Sequence, residues 1–178
     1  MNGESSYRRF IEGDENAARE IIKEYKESLI FFIYRYVKNE TIAEDIAIDV
    51  FAELFTLKRK YNYKSSLKTY LFIIAKSKAL NYIRRSKTIV FTELTGLEAD
   101  NALTPESHIL KDEQNYAIHS AISSLPEDMQ RAVHLVYFEN MSYEQTAKIM
   151  RKNKKQIDNL LYRAKNILRT LLDGEFKL

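Results

Sequence analysis

The sequence contains no cysteine, so disulfides, thiolate nucleophiles and cysteine-ligated zinc are excluded together. Only 4 glycines and 2 prolines occur in 178 residues. A sheet protein of this length needs many tight turns, so helices are the expected element. His108, His119 and His134 fall on presumptive helices at no metal-ligand spacing, and neither a metal nor a cofactor is expected. The most apolar stretches, Leu29 to Val37 and Tyr70 to Ala75, are too short to span a bilayer. The N-terminal Met1-Asn2-Gly3-Glu4-Ser5-Ser6 lacks a basic-then-apolar signal pattern. A soluble, cytoplasmic protein without membrane insertion is the expectation. A hydrophobic share of 45% is ordinary for a folded chain.

The formal net charge of +3 hides a strong asymmetry. Residues 1–57 hold 7 basic and 12 acidic side chains, whereas residues 58–87 hold 10 basic and no acidic ones. Residues 88–128 reverse the sign, with 1 basic and 8 acidic, and residues 129–178 return to 10 basic against 5 acidic. Most charge runs are solvated helix faces. Ten cations in thirty residues without a counter-charge point instead to a polyanion, met by two basic modules on either side of an acidic stretch.

Apolar residues recur at helical spacing from Glu15 to Val37, at Ala18, Ile21, Ile22, Tyr25, Leu29, Phe32, Ile33 and Tyr36. Asn39 either stops that helix or caps the next. There, Ile42, Ile46, Val50, Leu54 and Leu57 form one stripe, and Glu40, Glu44, Asp45, Asp49 and Glu53 an acidic face. Ser65 or Ser66 can cap a third helix from about Leu67 to Arg85. After Lys87 the period fades, and 88–104 reads as a flexible linker. Thr104-Pro105 starts a helix running to about Ile122, and Leu125-Pro126-Glu127 another ending near Asn140. Ser142 with Gln145, and Asn153 with Gln156, match capping boxes.

Two short capped helices about three residues apart fit a helix-turn-helix. Ala147 permits close approach, and Met150, Ile157, Leu160 and Leu161 supply contact surface. Lys154, Lys155, Gln156, Asn159, Tyr162, Arg163 and Lys165 remain on other faces as donors for phosphates and base edges. Asp158 would repel phosphate, yet it can accept from a cytosine amino group or favour the helix dipole. Arg151 stands where such turns commonly have glycine. Lys152 follows where an apolar residue is usual, so either the turn is less tightly packed than usual or the aliphatic stem of Lys152 lies over the core.

Two separated segments then resemble the extracytoplasmic-function group of bacterial RNA polymerase sigma factors. The first comprises Phe31-Phe32-Ile33-Tyr34-Arg35-Tyr36-Val37, Ala43-Glu44-Asp45-Ile46, Asp49-Val50-Phe51, Ser65-Ser66-Leu67-Lys68-Thr69-Tyr70-Leu71, Ile74-Ala75-Lys76 and Leu80-Asn81-Tyr82-Ile83-Arg84-Arg85. The second comprises Leu125-Pro126-Glu127, Tyr137-Phe138-Glu139, Met141-Ser142-Tyr143-Glu144-Gln145-Thr146-Ala147 and Tyr162-Arg163-Ala164-Lys165. Each motif is weak alone; their order and spacing over roughly residues 10–87 and 110–172 make the joint match specific.

The resemblance implies an all-α protein of two small helical domains. Residues 1–87 would form sigma region 2, a helical bundle that holds the polymerase clamp and opens the promoter −10 element. Residues 105–178 would form sigma region 4, a helix-turn-helix that reads the −35 element and sits on the polymerase flap. Partners would be core RNA polymerase, promoter DNA and an anti-sigma protein, with the free chain a monomer. By resemblance, Asp45, Asp49, Val50, Phe51, Glu53 and Leu54 grip a basic coiled coil of the largest subunit. Val50 and Leu54 can equally be core residues with the acids solvated.

By the same resemblance, Asn62, Tyr63, Lys64, Ser65 and Ser66 capture an everted base. Lys68, Lys76, Lys78, Asn81, Arg84 and Arg85 then follow the backbone, with Tyr61, Tyr63, Tyr70 and Tyr82 interleaved as π-faces. A tryptophan often stands where Tyr70 does, which favours Tyr70 as a core residue. Lys154, Lys155, Gln156, Asp158, Asn159, Tyr162, Arg163 and Lys165 would meet the −35 element.

Two other readings compete. A stand-alone helix-turn-helix regulator explains the C-terminal half, but not the acidic helix or the basic block. A magnesium-dependent nuclease using Asp45 and Asp49 lacks a third carboxylate from a second motif. No catalysis is expected.

Overall fold

A computed structural model describes residues 3–57, 61–92 and 113–175, and these residues are helical throughout apart from caps and turns. The helices are α1 (Gly3–Ile11), α2 (Glu15–Val37), α3 (Glu40–Thr56), α4 (Leu67–Thr92), α5 (Glu113–Ser123), α6 (Glu127–Val133), α7 (Tyr143–Met150) and α8 (Lys154–Glu175). A π-helical turn, His134–Phe138, continues α6. The chain divides into two compact units, the first holding α1–α4 and the second the bulk of the chain from α5 onward. No helix among the described residues is long and apolar enough to cross a membrane.

The first unit is built around α2, which packs on α1, α3 and α4. The expected apolar stripe buries Ile21, Tyr25, Leu29, Phe32 and Ile33, and α4 answers with Leu67, Leu71, Phe72 and Ala75. The Phe32 and Phe72 rings sit 4.9 Å apart between centroids, both fully enclosed. Boundaries follow backbone chemistry. Gly13 takes φ +106°, where only glycine is unstrained, and the Gly13 and Asp14 N–H groups close α1 onto Phe10 and Arg9 carbonyls. Asp14 then caps α2 by accepting from the Asn16 N–H. Lys38, at φ 55°, ends α2, and the Asn39 side chain accepts the Ile42 N–H to begin α3.

Ser66, rather than Ser65, caps α4, accepting from the Thr69 N–H at 3.2 Å. A second cap comes from 63 residues away, where Glu4 Oε1 accepts the Leu67 N–H at 2.7 Å. The linker boundary expected after Lys87 is corrected: α4 continues to Thr92. Extending an existing helix needs no new nucleus, and the β-branched Thr88, Ile89 and Val90 cost only tenths of a kcal/mol each. The rest of the expected linker, and the Thr104-Pro105 helix start, lie outside the described residues.

In the second unit α8 packs on α5 and α6. Ile157, Leu161 and Ala164 are buried at four- and three-residue intervals, the spacing of one helix face. Both capping boxes form reciprocally. Ser142 Oγ accepts the Gln145 N–H while Gln145 Oε1 accepts the Ser142 N–H, and Asn153 and Gln156 repeat the arrangement at 2.8 Å each way. The helix expected to end near Asn140 keeps that extent but changes winding at His134, where the Glu139 N–H reaches back five residues to the His134 carbonyl.

The turn between α7 and α8 explains the unusual Arg151. Its φ is 57°, and the Lys152 and Arg151 N–H groups return to the Ala147 and Lys148 carbonyls in a Schellman arrangement. The left-handed conformation that favours glycine is therefore occupied by arginine. Arg151→Gly is expected to stabilise the folded chain by about 0.5–1 kcal/mol, less the extra freedom glycine adds to the unfolded chain. Urea unfolding of both proteins checks this, and a lower midpoint for the glycine variant would contradict it.

Candidate nucleic-acid interface

On α3 most apolar residues turn inward and the acids outward. Asp45 is exposed, the Asp49 side chain is 70% exposed and that of Glu53 is 21% exposed. Val50, Phe51 and Leu54 are buried in the unit's core, the alternative already open for Val50 and Leu54, rather than standing on the surface beside the acids. They lie on the inward stripe with Ala43, Ile46 and Ala47, so their burial already serves folding. The apolar side chain that does emerge among the acids is Ile48, 62% exposed. It stands off the Ile42–Ile46–Val50–Leu54 stripe, and that displacement was the signal available in the sequence.

The basic block is less uncompensated than its composition implies. Lys78 Nζ lies 3.3 Å from Glu53 and 3.9 Å from Asp49, so α3 supplies a counter-charge that is distant in sequence. Lys78, expected to face DNA, thus also bridges α4 to α3. Lys68 and Lys76 are half-buried, with the Lys68 ammonium 5.9 Å from the Phe72 ring centre. Asn81, Arg84 and Arg85 are exposed, and the Arg84 guanidinium donates to Asn81 Oδ1. These three, with the exposed Tyr82, form the open basic edge of α4.

Residues 61–66 lead into α4 as a loop held from below. Tyr61 is 3% exposed, and its hydroxyl donates to the Ser65 carbonyl at 2.7 Å. Its ring meets Tyr7 at 5.3 Å and Tyr70 at 5.1 Å between centroids. Tyr61 is thus corrected from a base-stacking face to the floor of the loop, and Tyr70 is half-buried beside it. Burial, then the neighbouring Tyr63 and Tyr70, push the Tyr7 hydroxyl up to about 12; burial likewise raises Tyr61, so both phenols stay neutral. Asn62 Oδ1 accepts the Lys64 N–H at 3.2 Å in an Asx turn. Above this floor Tyr63 is 43% exposed, and Asn62 and Lys64 are exposed beside it. Ser65 and Ser66 are half-buried, Ser66 being engaged in capping α4.

The α8 residues expected to read DNA share one exposure. Lys154, Lys155, Gln156, Asp158, Asn159, Tyr162, Arg163 and Lys165 are all exposed, with Tyr162 at 68%. Two have prior engagements. Lys154 pairs with Glu144 at 2.6 Å, and its hydrogen bond holds the Glu144 carboxyl below the usual range. Gln156 Oε1 belongs to the capping box, which fixes the orientation of its amide. Lys152, at the departure from the usual turn pattern, meets Asp128 at 3.0 Å. Burial alone would raise the Asp128 carboxyl, but Lys152 and Arg131 outweigh it and hold it low. An ion pair thus occupies the place of an apolar contact.

His134 is buried against Glu139 at 3.4 Å, His119 is half-buried, and His108 lies outside the described residues. No group of three metal-ligating side chains occurs among the described residues. Sequence reasoning missed Arg8, whose guanidinium lies 5.5 Å from the Tyr63 ring centre, and Tyr7 beneath the same loop.

Comparison with known proteins follows the same division. The family model for sigma-70 region 2 matches residues 21–89, and that for sigma-70 region 4 matches residues 116–168. The chain is 28% identical over 166 residues to the RNA polymerase sigma-H factor of Pseudomonas aeruginosa, covering 88% of this chain and 86% of that protein. It is 26% identical over 166 residues to the ECF RNA polymerase sigma-E factor of Escherichia coli K12, with the same coverage of each. The fold resembles the sigma factor RpoE in its complex with the anti-sigma factor NepR from Bartonella quintana, with TM-score 0.68, 22% identity and coverage of 87% and 96%. It also resembles CnrH in complex with the cytosolic domain of CnrY, with TM-score 0.63, 16% identity and coverage of 95% and 96%.

Proposed function

The chain belongs to the sigma-70 family, with extracytoplasmic-function RNA polymerase sigma factors among its relatives, and on that premise we propose how its surfaces divide the work of transcription initiation. The first unit, reaching to the end of α4, acts as region 2; the second acts as region 4. In the cytoplasm the chain binds core RNA polymerase and carries it to promoters.

The α3 surface of Asp45, Ile48 and Asp49 meets the basic coiled coil of the polymerase clamp. The acids steer the encounter, and Ile48 supplies apolar area that the buried Val50, Phe51 and Leu54 do not. Asn62, Tyr63 and Lys64 receive an everted base of the −10 element, while Arg84 and Arg85 hold its backbone. On the second unit, Lys155, Asn159, Arg163 and Lys165 approach the −35 element. Gln156 offers its amide N–H groups first, because its oxygen is already bonded to the Asn153 N–H.

Opening DNA needs no catalytic side chain. Separating a base pair costs on the order of 1–2 kcal/mol of stacking. A pocket for an extruded base offsets this at one or two positions, and the polymerase cleft holds the rest. The relatives whose solved structures contain anti-sigma factors support a further expectation, that such a protein also holds this chain inactive.

The observation that carries the reading is the exposed Tyr63 on a buried tyrosine floor at the head of the basic helix. Run-off transcription with purified core polymerase and a fragment library tests it. Defined start sites that appear only when the chain is added are expected. If core enzyme remains indifferent to sequence while the chain alone binds a specific duplex, the stand-alone regulator takes its place.

A further inference from the structure

We propose that Arg8 and Tyr63 form one slot for single-stranded DNA, in which an unpaired base displaces the Arg8 guanidinium from the Tyr63 ring and Arg8 takes the adjoining phosphate. The inference rests on the promoter-opening function and extends the DNA interface onto α1, which lies outside the basic block.

Nine residues are too few for a helix to hold itself, so α1 is fixed by tertiary bonds. Gly3 approaches Tyr25 so closely that a Cβ would lie 2.2 Å from its hydroxyl oxygen. Glu4 accepts the Leu67 N–H, and the Ser6 hydroxyl donates to Glu20 at 2.9 Å. Arg9 is ion-paired with Glu20 and lies 3.7 Å from Asp14. Its neighbour Arg8 is exposed, and among the described residues it pairs with no acid. Its guanidinium rests on the Tyr63 face instead. A cation left without a carboxylate, on a helix pinned at four residues, is available for a polyanion.

Tyr63 is held for the same purpose. Its φ of 60° costs an aromatic residue on the order of 1 kcal/mol, a strain that persists only where surroundings impose it. Those surroundings are the Tyr61 ring at 4.7 Å, the Tyr7 ring at 6.1 Å and the Asx turn of Asn62. The ring is thereby supported from beneath and presented outward. Tyrosine rings and guanidinium planes both stack on bases, and guanidinium also binds phosphate in two-pronged fashion. Arg8 is too near the ring for a base to enter between them, so the base must replace it. The displaced cation then stands beside the incoming strand, with Lys64 exposed on the same loop.

The test uses chain bound to core polymerase and a promoter fragment recovered from the run-off library. The fragment is prepared as a full duplex and with the −10 non-template strand unpaired. Arg8→Ala and Arg8→Gln are expected to weaken binding of the unpaired probe roughly tenfold, and Tyr63→Ala similarly. Both Arg8 variants should lower the slope of log affinity against log salt by about 0.7, which a purely packing role would not do. Arg8→Lys should restore the slope. Arg8→Ala should cost much less in the Tyr63→Ala background, because the two residues serve one nucleotide.

An unchanged slope, equal loss on the full duplex, or additive losses would each overturn the slot. Circular dichroism of every variant separates these outcomes from misfolding, and Arg8→Gln keeps a planar head should alanine loosen the loop. If the unaltered chain gives no promoter-specific transcripts, the function beneath the proposal fails instead.

Discussion

Truncating Phe72 to alanine is expected to cost the first unit about 3–5 kcal/mol, the range for emptying a fully enclosed aromatic site. Phe72 has no exposure, packs at a tilt against the equally enclosed Phe32, and lies in α4 facing α2. Its loss removes apolar burial and leaves a cavity between two long helices that cannot close without moving their axes. Since a small domain is stable by only about 5–15 kcal/mol, much of the first unit's margin would go. Denaturant unfolding measures the loss. Amide exchange along α2 and α4 should accelerate together, because they share this contact. A change below about 1 kcal/mol would mean that Phe72 is not enclosed as described. Loss of promoter opening should follow, since α4 carries both the Leu67 N–H that holds Glu4 of α1 and the exposed Arg84 and Arg85.

Reversing Asp45 and Asp49 to lysine should weaken polymerase capture by roughly 10- to 100-fold, through slower encounter and like-charge contact with a basic partner. Both side chains are solvent-facing, so the fold should survive. One tertiary consequence needs a control. Asp49 lies 3.9 Å from Lys78, and Asp49→Lys places a second cation there, although Glu53 remains the nearer partner at 3.3 Å. Asp45→Lys alone is free of that complication and should give a smaller loss of the same sign. Glu27→Lys, on an exposed position of α2, tests whether net charge alone matters and should leave capture unchanged. Fluorescence titration of labelled chain with core polymerase supplies the affinities. Equal binding by the double variant would remove α3 from the interface.

These two predictions fall on opposite faces of one amphipathic pattern, and they show how far that pattern could be read. The stripe Ile42–Ile46–Val50–Leu54 announced which side of α3 turns inward, because helical geometry alone repeats side chains every three or four residues. It could not say that Val50, Phe51 and Leu54 were consumed by the core, since partner contacts and core contacts both select apolar side chains. Ile48, lying off the stripe, was the better sign of an apolar side chain facing outward. The family motifs gave the order of the two modules, and the matches to sigma-70 regions 2 and 4 agree with it.

The loop at residues 61–66 shows the same limit at closer range. Alternating tyrosines and lysines suggested a surface for DNA, but Tyr61 and Tyr63 are indistinguishable as letters. One is the floor and the other the platform, because Tyr7 arrives from α1 and the Tyr61 hydroxyl bonds to Ser65. Arg8 escaped notice because it precedes the basic block by fifty residues and sits among acids in the sequence.

Helical class, capping boxes, the anomalous turn at Arg151 and the two basic modules were determined by sequence alone, since each depends on residues within a few positions of one another. The cap that Glu4 lends to Leu67, the neutralisation of Lys78 by α3, the burial of Tyr61 and the seating of Arg8 on Tyr63 were decided only by tertiary structure. The reason is physical. Local backbone bonds and periodicity are short-ranged and repeat with the helix, whereas a charge or ring finds its distant partner only after packing has brought the helices together.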